Sequence, residues 1–143
     1  MSNLTAFLAQ NALKVEVEEH VVSKRFVDSE TKEPVKWKVG AVTSDRDEEL
    51  RKQNTKRMPI PGKKNMYQPT TDFNAYLATL AAECTLFPDL NNKELQDSYK
   101  VMDAASLLKK MLLPGEYAEY LNIVQKLNGF DISMEEAVEE AKN

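Results

Sequence analysis

The side chains able to do chemistry are few, and their types and spacing limit what that chemistry would be. His20 is the single histidine and Cys84 the single cysteine of 143 residues. A zinc site of the usual Cys and His composition is therefore not available, and a Cys-His nucleophilic pair would need the two to meet across the fold. A Ser-His-Asp arrangement would also have to recruit His20, which stands beside Glu18 and Glu19 in an apparent strand. A surface imidazole among carboxylates is the plainer reading. Cys84 lies in LAAECTLF, where helical spacing places it beside Leu77 and Leu80 as a small buried thiol. Four glycines, at positions 40, 62, 115 and 129, are too scattered for a phosphate cradle, and neither G-x-x-x-x-G-K-[ST] nor G-x-G-x-x-G occurs. Carboxylates are abundant, but the runs Asp45 to Glu49 and Glu135 to Glu140 read as solvated helix faces. No catalytic residue, metal site or cofactor site is expected.

The remaining polar signal is a charge asymmetry. Net charge is −4, made of −3 over residues 1–50, +6 over 51–71 and −7 over 72–143. Arg51, Lys52, Lys56, Arg57, Lys63 and Lys64 supply the positive block, with Met58, Met66 and Tyr67 interleaved. Such a segment reads as a solvated loop, as a flap docking on an acidic protein surface, or as a phosphate-binding segment on which Tyr67 stacks a base. The acidic balance, and the lack of a helix-turn-helix or zinc signature or of a second basic stripe, weigh against nucleic acid.

The elements that would position these groups can be read from periodicity. Leu4, Phe7, Leu8 and Ala12 share one helical face, so residues 1–13 are a short helix or an arm whose order depends on docking. Val-rich residues 14–27, the polar DSETKEP and the alternating Val35, Trp37, Val39 and Ala41 predict a β-hairpin or small antiparallel sheet anchored by Trp37. Ser44, followed by Asp45, Asp47, Glu48 and Glu49, caps a helix to about Gln53. Pro59, Pro61, Gly62 and Pro69 make residues 54–70 an extended basic loop or mobile flap with no regular element.

From Thr71 onward the chain reads as helices. Thr71 or Asp72 caps a segment through Cys84 with Phe73, Leu77, Leu80 and Ala81 on one face, broken at Phe87-Pro88. Asn92 caps a turn through Tyr99. Asp103 caps Ala104 to Leu112, and Pro114 opens a helix carrying Tyr117, Leu121, Val124 and Leu127 that ends at Gly129. Ser133 and Glu136 have capping-box spacing before an acidic last helix. The run Leu107, Leu108, Met111, Leu112 and Leu113 is wider than a one-sided stripe. It is either central to a bundle or half offered to a partner.

The fold class expected is α+β, mostly α: a small N-terminal β unit, then a compact bundle of short helices, in one domain of 143 residues. Apolar residues at 42% and charged residues at 29% are ordinary globular values. No window is apolar enough to span a bilayer, and the start lacks the basic region and apolar core of a signal peptide, so a cytoplasmic protein is expected.

Three stretches carry a family resemblance: Pro34 to Lys52 (PVKWKVGAVTSDRDEELRK), Thr71 to Tyr117 with its segments TDFNAYLA, LQDSY and LLKKMLLPGEY, and the ending EYLNIVQKLNGFDISMEEAVEEAKN. Together they resemble the XkdN-like tail assembly chaperones of phages and defective prophages of Gram-positive bacteria, over the chain beyond its first dozen residues. The resemblance implies a non-enzymatic protein that coats the tape measure protein in many copies, keeps it soluble and helps recruit tail tube subunits. It implies no cofactor and no membrane. Helical spacing, rather than any known family site, suggests Leu108, Met111, Leu112, Tyr117 and Tyr120 as partner anchors, with Arg51, Lys56, Arg57, Lys63 and Lys64 as a polar rim. Self-association, a structural tail component and a DNA-binding accessory protein using residues 51–64 stay open as alternatives.

Overall fold

Trp37 sets the centre of the architecture. The computed structural model describes residues 3–130. In it, strand β1 (Glu18–His20) pairs antiparallel with β2 (Trp37–Val39), matching Glu18 with Val39 and His20 with Trp37. Alternation turns Trp37 and Val39 inward and Lys38 outward, as the period-2 pattern requires. Asp28 turns the connection between them, its carboxylate accepting the backbone N–H groups of Glu30 and Thr31 at 2.8 and 3.0 Å. A third strand, β5 (Thr85–Phe87), pairs antiparallel with β2 to give the order β1-β2-β5. The sequence suggested only a break at Phe87-Pro88; three residues are too few to show a period of two.

Helix α1 (Ser44–Gln53) starts one residue earlier than its acidic turn suggests. Thr43, not Ser44, is the cap, its hydroxyl accepting the Arg46 N–H at 3.2 Å. Residues 54–70 were expected to have no regular element and instead form a hairpin. Strand β3 (Thr55–Pro59) pairs antiparallel with β4 (Tyr67–Thr71). The prolines are tolerated because they sit where a ribbon needs no N–H. The Ile60 N–H bonds to the Met66 carbonyl at 2.9 Å and the Asp72 N–H to the Asn54 carbonyl at 2.8 Å, so even positions on β3 carry the ladder. Pro59 and Pro69 fall on the alternate, outward-facing positions. Gly62 and Asn65, at φ of 79° and 60°, make the turn.

Helix α2 (Phe73–Cys84) is capped by Asp72, which accepts the Ala75 N–H at 3.1 Å, and packs against α1, α4 and α5. With three neighbours its buried side is broad: Tyr76, Ala78, Leu80, Ala81 and Cys84 are enclosed. Phe73, expected on that face, is instead 56% exposed, its ring 5.6 Å from that of Tyr76 between centroids. Asn92 caps α3 (Lys93–Ser98) and Asp103 caps α4 (Ala104–Met111). Helix α5 (Pro114–Leu127) begins with proline and closes through Gly129 at φ 85°. There the Phe130 N–H bonds to the Gln125 carbonyl and the Gly129 N–H to Lys126, the paired bonds of a Schellman ending. The Ser133–Glu136 capping pattern lies outside the described residues.

One core joins the sheet to the helices. Trp37 and Val39 meet Leu50, Tyr76, Leu80, Leu107, Leu108, Met111, Tyr120 and Val124, with Tyr120 edge-on to Trp37 at 5.4 Å between ring centroids. The fold is α+β. The N-terminal stretch forms a short 3-10 helix, Asn3–Phe7, with no residue buried.

Candidate partner-binding surface

The groups with chemical potential are placed apart and occupied. His20 Nε2 lies 2.7 Å from Glu18 Oε1 at the surface. Cys84 is buried, accepts the Asn128 side-chain N–H at 3.3 Å, and is pushed up to about 11 by burial. At neutral pH it is a thiol packed in apolar surroundings, not a nucleophilic thiolate. Among the described residues no three His, Cys, Asp or Glu side chains gather closely enough to hold a metal. A cleft of ≈ 280 Å³ opens between α1, α2 and the start of α4, lined by Arg46, Leu50, Glu83 and Asp103 among others. Its charges serve the fold: Arg46 donates to Glu83 and Glu49, both at 2.7 Å, and Asp103 caps α4.

The five apolar anchor candidates need relocation. Leu108 and Tyr120 are fully enclosed, and Met111 and Leu112 nearly so; Tyr117 is partly buried against the same core. Tyr120 further bonds through its hydroxyl to Thr85 Oγ1 at 2.6 Å. The wide apolar run is therefore the centre of the bundle, with Leu113 alone turned outward. Helical spacing marks a face as apolar but does not say whether the same chain covers it. Here the sheet and α2 do.

The basic candidates divide into two groups. Arg51 and Lys52 belong to α1 and pair there with Asp47 at 3.1 Å and Glu48 at 3.8 Å. Arg51 also lies over the Tyr76 ring, 4.7 Å from its centroid, while the Tyr76 hydroxyl donates to Asp47. Lys56, Arg57, Lys63 and Lys64 stand on or at the tip of the β3–β4 hairpin. None of these four has a carboxylate partner among the described residues. Every residue of β3 beyond Thr55 and every residue of β4 is exposed, so the ribbon projects from the body.

Two surfaces with grouped apolar side chains thus remain uncovered. One is the hairpin, where Met58, Met66 and Tyr67 are about half exposed. The other is the N-terminal arm, where Phe7 is 79% and Leu13 97% exposed and Leu4, Val15 and Val17 are also open to solvent. Large apolar side chains grouped in this way mark contact surfaces more often than isolated ones do.

Comparison with known proteins gives this arrangement its context. The phage XkdN-like tail assembly chaperone family matches residues 4–142. The chain belongs to the XkdN-like tail assembly chaperone family. It is 32% identical over 142 residues to the phage-like element PBSX protein XkdN of Bacillus subtilis (strain 168), covering 99% of this chain and 94% of that protein. It is 35% identical to the uncharacterized protein YqbN of the same strain, covering 99% and 93% respectively. The crystal structure of the protein YqbN superposes with a TM-score of 0.75 at 33% identity, over 92% of this chain and 99% of that one. In this XkdN-like chaperone the signal for the hairpin was present as two short segments flanking PGKKN. The signal for the arm was the Leu4, Phe7, Leu8 stripe.

Proposed function

We propose that this chain binds the tape measure protein of its phage tail and holds it soluble in the bacterial cytoplasm until the tail tube forms around it, without catalysing a reaction. The observation that carries the reading is the family match, which spans residues 4–142. The geometry agrees with it in kind: the enclosed groups serve folding, whereas the uncovered ones are apolar and cationic groups suited to protein contact. Among the described residues no helix is long and apolar enough to cross a membrane. A long helical client presents many equivalent segments, so modest affinity per copy suffices when several copies line one client. Tail tube subunits and further copies of this chain are secondary partners in the proposal.

Co-expression with the tape measure protein of the same phage or prophage tests it. The expected result is a soluble client that co-purifies with several copies of this chain. A client that stays insoluble and retains nothing overturns the reading.

A further inference from the structure

The β3–β4 hairpin has a feature that selects among docking modes. Positions 55, 57 and 59 on β3, and 67, 69 and 71 on β4, turn their backbone nitrogens outward, because the alternate positions carry the ladder. Pro59 and Pro69 therefore each remove a donor from one outer edge. A strand adding to either edge would lose a ladder bond, so the ribbon is poorly suited to extend a sheet. What it offers is its faces. Register places Lys56, Met58 and Ile60 of one strand on the same face as Met66, Gln68 and Thr70 of the other.

Charge selects the occupant. The hairpin segment carries Lys56, Arg57, Lys63 and Lys64 and no acidic residue, with no ion pair among the described residues. On the Met58 face a cation, Lys56, stands near the root, and Lys63 and Lys64 stand in the turn beyond Ile60 and Met66, so that cations lie at both ends of the Met58, Ile60 and Met66 stripe. From Lys56 to Ile60 the strand rises about 13 Å, four steps of roughly 3.4 Å. Two turns of an α-helix rise about 11 Å. We propose that this face is a docking site for an anionic amphipathic helix of the client, with an apolar stripe on the two methionines and acidic residues about two turns apart on the flanking cations. Methionine suits such a seat because its unbranched side chain adapts to different apolar partners, as binding to many segments of one client demands. Nucleic acid is the less favoured occupant. The four cations are the one such cluster in a chain of net charge −4, and duplex binding needs a longer positive footprint.

The inference rests on the client-binding reading above, and its test separates the two. The probes are two synthetic helical peptides with the same leucine stripe, one with glutamate and one with lysine on the polar face, plus a short DNA duplex. Binding to the full chain is followed by fluorescence anisotropy. The glutamate peptide should bind and the lysine peptide should not. Affinity should fall about tenfold or more in about 0.5 M salt and in the K56E/R57E/K63E/K64E variant. Met58→Ser with Met66→Ser should weaken binding without changing its salt dependence. Because the hairpin lies off the core, both variants should keep the parent's thermal midpoint, which separates lost binding from lost folding. Equal binding of both peptides, undiminished binding by the charge-reversed variant, or tighter binding of the duplex overturns the inference. A charge-reversed variant that still solubilises the tape measure protein sinks the hairpin site alone. A glutamate peptide that binds beside a client that stays insoluble sinks the chaperone reading alone.

Discussion

Two side chains of α2 hold their protons against unusually alkaline solution. Burial pushes Cys84 from an ordinary 9.0 up to about 11. Burial, with the hydrogen bond to Asp47 and that carboxylate's charge, pushes Tyr76 from 10.0 up to about 12. In the unfolded chain both groups give up their protons first, so above pH 9 the native state binds more protons than the unfolded one. Stability then falls as pH rises. The contribution of Cys84 is complete below pH 9 and lost by about pH 11, and that of Tyr76 is lost between about 10 and 12. Urea unfolding measured from pH 8 to 12 should show this decline, and Tyr76→Phe should flatten its upper part. The same burial should make Cys84 react with an aromatic disulfide reagent at pH 8 only as fast as the protein unfolds. Rapid labelling of the native protein would contradict the enclosed thiol.

Elements differ sharply in what they contribute to the body. Helix α4 buries Leu107, Leu108 and Met111, so Leu108→Ala should cost about 2–5 kcal/mol by calorimetry or denaturant titration. The hairpin buries nothing beyond its root, and its two ends are already hydrogen-bonded, Asp72 to Asn54 at 2.8 Å and Thr55 Oγ1 to Thr71 Oγ1 at 2.8 Å. Replacing residues 57–69 by Asn-Gly, a turn that closes on the hydrogen-bonded 56/70 pair, should therefore leave the thermal midpoint within about 4 °C, roughly the shift expected for 1 kcal/mol in a domain of this size. This contrast also explains what the sequence made legible. Caps at Asp72, Asn92 and Asp103, the proline start and glycine end of α5, and the inward Trp37 are local signals, and each is realised. The burial of Leu108, Met111, Leu112 and Tyr120 depends on the sheet and α2 closing over them, and no periodicity within their own helices reports that. The hairpin was hidden by prolines whose harmlessness depends on ladder phase, a property of two strands together.

At the scale of the molecule, the described residues form one packed core from which a cationic ribbon and an apolar arm extend. Backbone that is exposed and off the core is where a protease finds its substrate. Brief trypsin treatment should cut first at Lys63, Lys64 and Lys14, leaving α2 through α5 intact, as intact-mass analysis would show. Early cleavage at Lys109 or Lys110 in α4 would mean that the core opens as readily as the ribbon. If the client covers the ribbon, the cuts at Lys63 and Lys64 should slow in the complex while those at Lys109 and Lys110 stay as they are.

Trp37 is the single tryptophan, buried between the Phe26 ring at 6.4 Å and the Tyr120 ring at 5.4 Å. The indole emission is thus a built-in optical gauge of one junction, where the small sheet meets α5. Its wavelength registers whether the body is closed and is blind to events on the ribbon. A client that quenches or red-shifts this light would be loosening its chaperone, whereas one that leaves the spectrum unchanged would be riding on a scaffold that stays shut.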